Sequence, residues 1–278
     1  MQTLQSIEQV EKVFQTGEYP LLVHCTDLEY YVCKYNKTLG SANLLFREYV
    51  AASFLKIWNL QIPEFALINL QPHHNPQNVF NIKNNVPCFG SLYKREYREI
   101  DAFIDKASPY QKSKFCNKND LLKISLFDYW VSNEDRNSNN YNMMLKMENG
   151  MYYFIPIDNA AVFHTGNQDK INYTLSQEES LIFSPLIQNV FNSKSFFDKQ
   201  LAQLIRENYY LCVQGCKSSL QGIINDVPLQ WQINKRGEYE NLLNFLFTNA
   251  WIEECLNTFL QHLQLFVNKK NNGNPNPL

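Results

Sequence analysis

The chain has 278 residues, 45% hydrophobic and 19% charged, with only 9 glycines and 11 prolines, a composition that gives a folded globular protein with a sizeable core, one large domain or two lobes. A formal charge of −2, with no run of Lys and Arg interleaved with aromatics, excludes the basic surface that a nucleic-acid backbone demands. The N-terminal residues mix acids with apolar side chains and no long apolar run follows, so neither a signal peptide nor a membrane span is expected.

In chain order, residues 7–14 are mixed in pattern, and Thr16-Gly17-Glu18-Tyr19-Pro20 predicts a turn before a strand at 21–25. One glycine does not make a glycine-rich phosphate cradle, and an ordinary hairpin turn reads equally well. The next strand, 30–35, puts Tyr30, Val32 and Lys34 on one face and Tyr31, Cys33 and Tyr35 on the other, so Lys34 shares a face with core residues. Gly40-Ser41-Ala42-Asn43 supplies capping residues for a helix running towards Trp58. On that helix Glu48 follows Leu44 and Leu45 by one turn and precedes Ala51, Ala52 and Leu55, which sets a carboxylate in the apolar stripe. A buried charge is costly unless paired. The nearest displaced cation is Lys34, and the two are expected to pair; a helix edge with a snorkelling lysine is the alternative.

Gln61-Ile62-Pro63 ends the helix, 65–70 reads as a strand, and His73 and His74 are expected in a solvated polar turn. Residues 79–82 and 88–93 are short strand candidates, the second open to a β-bulge at Gly90. Residues 94–118 lack a period apart from a short helix near 99–105. Asn119-Asp120 can cap a helix through Trp130 whose apolar residues lie nearly all round, the pattern of a central buried helix. Asp128 breaks that pattern, and either Arg136 or solvent would accommodate it. After residue 163 a polar stretch, 164–177, suits an exposed functional segment. Helical spacing then returns at 178–191, 196–216 and 238–267, with Trp231 in a connection. Seven scattered cysteines, an odd number, read as reduced buried thiols and point to the cytoplasm; Cys212 and Cys216 have no second pair of ligands nearby, so zinc is not expected.

The chemistry concentrates between 131 and 163. Asn133 to Asn140, NEDRNSNN, is a dense polar loop between the apolar helix and two strand-like runs, so rigid elements hold it. Asp158 ends the apolar run 152–157, which reads as a buried strand delivering one carboxylate. Asp135 and Asn140 are five positions apart, the separation at which a catalytic loop of the protein-kinase type places its hydroxyl-orienting Asp and its magnesium-holding Asn. For this loop alone, an Asn-rich turn in an Asn-rich protein is the plain alternative.

With N-x-D-R-x-x-x-N-x-N from Asn133 to Asn142 and P-I-D-x-A-x-x-F from Pro156 to Phe163, the sequence resembles the HipA-like kinases, a bacterial branch of the protein-kinase fold. The gap between the motifs suits a β-hairpin, and the resemblance spans residues 16–163. It implies an α+β, two-lobed protein-kinase-like fold with a small β-rich N-lobe (1–93), a mainly helical C-lobe (94–268) and nucleotide between them, while the Asn-, Pro- and Gly-rich tail (269–278) reads as disordered from its composition. The resemblance implies ATP and Mg²⁺ as cofactors, Asp135 to orient and deprotonate a hydroxyl, and Asn140 and Asp158 to hold the metal. Lys34 would bind ATP phosphates and Glu48 would position Lys34, while Phe89 and Ser91 would lie where the link between the lobes meets adenine. The implied acceptor is a protein Ser/Thr, the chain's own included, and the implied partner an antitoxin-like protein, with no direct nucleic-acid contact and no membrane. The competing readings are a pseudokinase, suggested by the single lid glycine and by Asn159 after Asp158, and a kinase for a small molecule or lipid.

Overall fold

The structure, a computed structural model, describes residues 1–36, 41–75, 82–83, 85–104, 113–166, 173–191 and 198–272. Six strands form the first sheet: β1 (Thr3–Gln5), β2 (Lys12–Val13), β3 (Leu21–His24), β4 (Tyr30–Lys34), β5 (Phe65–Asn69) and β6 (Cys88–Leu92), in the order β1-β5-β6-β4-β3-β2. Beyond β1 the chain crosses to β3, where Ser6 bridges Cys25, the Ile7 amide donates to His24 O (3.0 Å) and the Thr26 amide to Gln5 O (2.9 Å). The sheet thereby closes on itself, which leaves few unpaired edge groups.

Alternation along β4 decides what the two faces do. Tyr31 and Cys33 point into the closed sheet and pack with Leu4, Val23, Ala66 and Ile68. Tyr30, Val32 and Lys34 are half-buried on the outer face, where the cross-strand partner of Lys34 is Phe89, a member of the large core. Gly90 is in regular register with Cys33 and Ala66, so there is no bulge. It is glycine because a Cβ there would sit 2.6 Å from Ile68 Cγ1 and 3.3 Å from Tyr31 Cβ.

Helix α1 (Ser41–Ile57) lies between the sheet and the helical lobe and is apolar on nearly every side. Phe54 meets Trp130 at 5.3 Å between ring centroids, and Trp58, just past the helix end, meets Phe127 at 5.2 Å. Tyr49 meets Trp231 edge-on at 6.4 Å, and Trp231 Nε1 donates to Pro87 O at 2.7 Å. The C-terminal part of the chain therefore braces α1 against the sheet.

The second lobe carries a small antiparallel sheet, β7 (Arg98–Glu99), β8 (Met143–Glu148) and β9 (Met151–Pro156). Asn149 and Gly150, both at positive φ (51° and 75°), make the two-residue β8–β9 turn. The helices are α2 (Ile100–Ile104), α3 (Lys118–Val131), α4 (Pro185–Val190), α5 (Lys199–Asn225), α6 (Lys235–Leu246) and α7 (Asn249–Asn272). The first helical stretch after residue 178 is split because Ser184 and Pro185 start a new helix. The central helix α3 starts at Lys118, before the residues expected to cap it, and ends where Ser132 turns left-handed (φ 52°).

Two further expectations change, and one lies largely beyond the described residues. His74 is buried, not solvated, its Nδ1 2.8 Å from Ser6 Oγ. The strand expected at 79–82 falls largely outside the described residues, and Ile82 is not in a strand. Residues 269–272, expected as tail, continue α7, and 273–278 lie outside the described residues. Among the described residues no helix is long and apolar enough to cross a membrane.

Replacing Gly90 by Val forces side-chain volume into a filled interior, and overpacking of this kind costs about 1–3 kcal/mol. Urea denaturation should show a lower midpoint at unchanged slope; an unchanged midpoint would mean that the sheet interior yields.

Candidate active site

Each charge at the site is delivered by a rigid element. Lys34 ends β4, Glu48 lies mid-way along α1, and Asp158 lies two residues past the end of β9. Lys34 Nζ lies 2.5 Å from Glu48 Oε1 and 2.5 Å from Asp158 Oδ1, so the two misplaced charges of the sequence do meet. Glu48 is 3% exposed and Lys34 12%, whereas Asp158 is 41% exposed. Burial pulls the Lys34 ammonium down, but the two carboxylates outweigh it and hold it above its usual value. Burial pushes the Glu48 carboxyl up against the pull of Lys34, and it ends raised. For Asp158 burial acts upwards too, yet Lys34 wins and leaves it low, hence ionised.

The segment carrying Asp158 is gripped at every residue from Ile157 to Ala160. Glu48 Oε2 accepts from the Asn159 amide (3.0 Å), and the neighbouring Arg47 donates from Nε to Ala160 O (2.7 Å). Arg136 Nη2 donates to Ile157 O (2.9 Å) and to Asn159 Oδ1 (2.8 Å). Asp158 itself is left-handed (φ 52°), a conformation that Asp and Asn tolerate better than other side chains. Asn159, a departure that prompted the pseudokinase reading, thus has a structural use through both its amide and its side chain.

Arg136 also closes the question of Asp128. Its Nη1 lies 2.5 Å from Asp128 Oδ1, with side chains 0% and 1% exposed, and Asn133 Nδ2 donates to the same oxygen at 3.0 Å. Burial pushes the Asp128 carboxyl up to about 7, even with Arg136 and Asn133 pulling it back. Of the two options for Asp128, the ion pair holds and solvent exposure does not.

Asp135 stands at the half-buried rim of the loop. Its Oδ2 accepts from Asn140 Nδ2 at 3.0 Å and from Asn142 Nδ2 at 2.8 Å. Asn137 instead shapes the loop, with Nδ2 on Glu134 O (2.9 Å) and Oδ1 accepting from the Asn139 amide (2.8 Å). Asp135 joins the Lys34 cluster indirectly, through Arg136 and through the Ile157 amide, which donates to Asn142 O at 2.9 Å. Phe89 is buried beside Lys34, and Ser91 lies half-buried opposite Val32 on the same outer face.

Of the functional contacts, sequence reading missed those of Arg47, Asn142 and Asn159. Arg47 is adjacent to Glu48, but no periodicity marks a side chain that reaches a backbone carbonyl. Asn142 is part of the quoted motif, but no spacing rule gave it a task. Two cavities elsewhere, about 180 Å³ between α3 and α5 and about 300 Å³ beside β1 and β5, are lined by none of these residues.

Among the described residues no three His, Cys, Asp or Glu side chains gather to hold a metal. Magnesium does not require such a cage, since it binds through one or two protein oxygens together with phosphate oxygens. The ionised Asp158 carboxylate, with Lys34 on its Oδ1, offers one oxygen of that kind.

A closed β-sheet lobe bearing a Lys–Glu pair is joined to a helical lobe bearing the Asp135 loop, an arrangement that a phosphotransferase of the kinase class can use. The family model described as HipA-like kinase matches residues 7–262, and the chain belongs to that family. Among solved structures it is similar to the Helicobacter pylori proinflammatory kinase CtkA, at 11% identity and a TM-score of 0.51 over 93% of this chain and 98% of that one, a likeness of fold. It is also similar to Shewanella oneidensis MR-1 HipA, solved with HipB and operator DNA, at 12% identity over 98% of this chain and 67% of that one, but the TM-score of 0.35 is too low to carry an argument. No curated protein matches the chain.

Replacing Arg136 by Met strands a buried carboxylate, at a cost of about 3–5 kcal/mol. In that variant the folded-state pKa of Asp128 stays above its unfolded value of about 4. In the wild type burial already holds Asp128 at about 7 and loss of Arg136 raises it further, so the stability deficit relative to wild type should grow as pH rises above about 7 and level off below it. Denaturation at a series of pH values measures this; a deficit that is absent, or that grows on acidification, contradicts the pairing.

Proposed function

We propose that the chain transfers the γ-phosphoryl group of ATP to the hydroxyl of a protein Ser or Thr, its own included, in a magnesium-dependent reaction. What carries the reading is Lys34 held between Glu48 and Asp158, on a scaffold that also fixes Asp135. Glu48 orients Lys34, whose ammonium then meets phosphate oxygens. Asp135 orients the acceptor hydroxyl and takes up its proton. Asp158 and Asn140 would hold magnesium, which when bound neutralises charge on the phosphates. Phe89 supplies an apolar wall behind Lys34, and Ser91 lies further along the same strand, towards the adenine end. In this reading the N-lobe is 1–93 and the C-lobe 94–268, the division falling between β6 and β7. Family membership alone supports the protein acceptor and an antitoxin-like protein partner, and the scattered cysteines support the cytoplasm; a small molecule or lipid acceptor would use the same groups.

One observation favours the pseudokinase reading. In the turn between β2 and β3 the Tyr19 amide donates to Thr16 O and the Phe14 amide to Pro20 O, both at 2.9 Å. Those amides are spent within the hairpin instead of facing a phosphate.

Mg²⁺-ATP at about 100 times its Kd should add ~2.7 kcal/mol, a rise in melting temperature of several degrees at roughly 2–4 °C per kcal/mol. Asp158→Ala should remove the magnesium-dependent part; no shift at any magnesium concentration would defeat nucleotide binding itself.

Asp135→Asn keeps size and hydrogen bonding but loses the base. Phosphoryl transfer, followed with labelled ATP on the chain and on lysate proteins, should fall about 10²–10⁴-fold while nucleotide binding survives. Nucleotide binding by the wild type without any transfer would establish the pseudokinase reading instead.

A further inference from the structure

Asn142 touches both halves of the site. Its Nδ2 donates to Asp135 Oδ2 at 2.8 Å, and its carbonyl accepts from the Ile157 amide at 2.9 Å and from Arg136 Nε at 3.4 Å. Ile157 immediately precedes Asp158, and β8 begins at the next residue after Asn142, with Met143 opposite Pro156. One residue therefore ties the Asp135 carboxylate by its side chain to the ladder that delivers Asp158 by its main chain.

The bonds select an atom as well as a place. Asn140 and Asn142 both donate to Oδ2 of Asp135. A carboxylate oxygen has about two lone-pair sites, so Oδ2 is filled and Oδ1 keeps its capacity to accept. Of the two donors Asn142 is the half-buried one and Asn140 the exposed one, so water competes less for the bond from Asn142. The backbone of Asn142 is left-handed (φ 43°), which Asn adopts at little cost and most side chains do not.

We propose that Asn142 is a positioning residue for phosphoryl transfer: it holds Asp135 so that Oδ1 faces the acceptor hydroxyl, and it keeps that carboxylate in register with the strand leading to Asp158. The proposal rests on the kinase reading above. It concerns orientation of the acceptor, separately from nucleotide binding.

The test is a double-mutant cycle with Asp135→Asn, read in transfer rate and in melting temperature. Asn142→Gly removes the donor yet allows the left-handed backbone. A lost hydrogen bond to a charged group corresponds to about a 10- to 100-fold fall in kcat. KM for ATP and the Mg²⁺-ATP shift in melting temperature should stay within about twofold of wild type, as for loss of an interaction made at the acceptor only. Added to Asp135→Asn, Asn142→Gly should cause no further loss, because Asn142 acts through that carboxylate. Asn142→Asp, which keeps size and conformation but puts a like charge against Asp135, should show the same dependence, and it serves in the cycle if the glycine variant does not fold.

Additive losses in the double variant overturn the proposal and leave Asn142 a general structural residue. Loss of the magnesium-dependent melting shift in Asn142→Gly overturns it as well, by making Asn142 a metal ligand. Absence of any transfer by the wild-type chain removes the kinase reading and the proposal with it, whereas wild-type transfer with an additive cycle removes the proposal alone.

Discussion

The buried pairing of Arg136 with Asp128 is the constraint on which the site depends. A fully buried ion pair adds little net stability over an apolar pair of the same shape, because desolvating both charges offsets their attraction. Its value lies in what the rest of the guanidinium does. With Nη1 on Asp128, Arg136 has Nη2 for Ile157 O and Asn159 Oδ1 and Nε towards Asn142 O. A planar fork with fixed donor directions can bond three elements at once, which a lysine cannot do. Helix α3, the polar loop from Asn133 to Asn140 and the segment after β9 are thereby held in one arrangement.

The second group of charges is built differently. Lys34 and Glu48 come from the sheet and α1, Asp158 from the other lobe, and they meet where the two lobes face each other. Their geometry therefore depends on how α1 is seated. Aromatic contacts fix α1 from the helical lobe through Phe54 and Tyr49, and Arg47 and Glu48 reach from it to the backbone of Asn159 and Ala160. In protein kinases the helix carrying the glutamate is a point of control; here it is packed into the common core, so the Lys–Glu pair is part of the folded state.

Much of this was legible in the chain. Lys34 and Glu48 each break the apolar pattern of an otherwise regular element, and a charge in an apolar stripe needs a partner. The polar loop from Asn133 to Asn140 stood out because rigid apolar runs flank it. A hairpin between the two motifs followed from their separation; that Asn149 and Gly150, both at positive φ, make its turn was added by the structure. By the same logic His74 was misread. A histidine among Pro and Asn looks solvated, and only the fold brings Ser6, distant in sequence, to its ring.

Local pattern determined the elements, the burial of α3, the location of the catalytic-type loop and the identity of the charges that had to be paired, because periodicity and the cost of burying a charge act within a few turns of chain. The tertiary structure alone decided that Asp128 meets Arg136 and not water, that Gly90 serves close packing instead of a bulge, that Asp158 joins the Lys34–Glu48 pair, and that Arg47, Asn142 and Asn159 belong to the site. These last contacts join a side chain to a carbonyl, an amide or a carboxylate fixed by another element. Such groups lie on every residue of the chain, so no residue type or spacing announces which of them a fold will bring together.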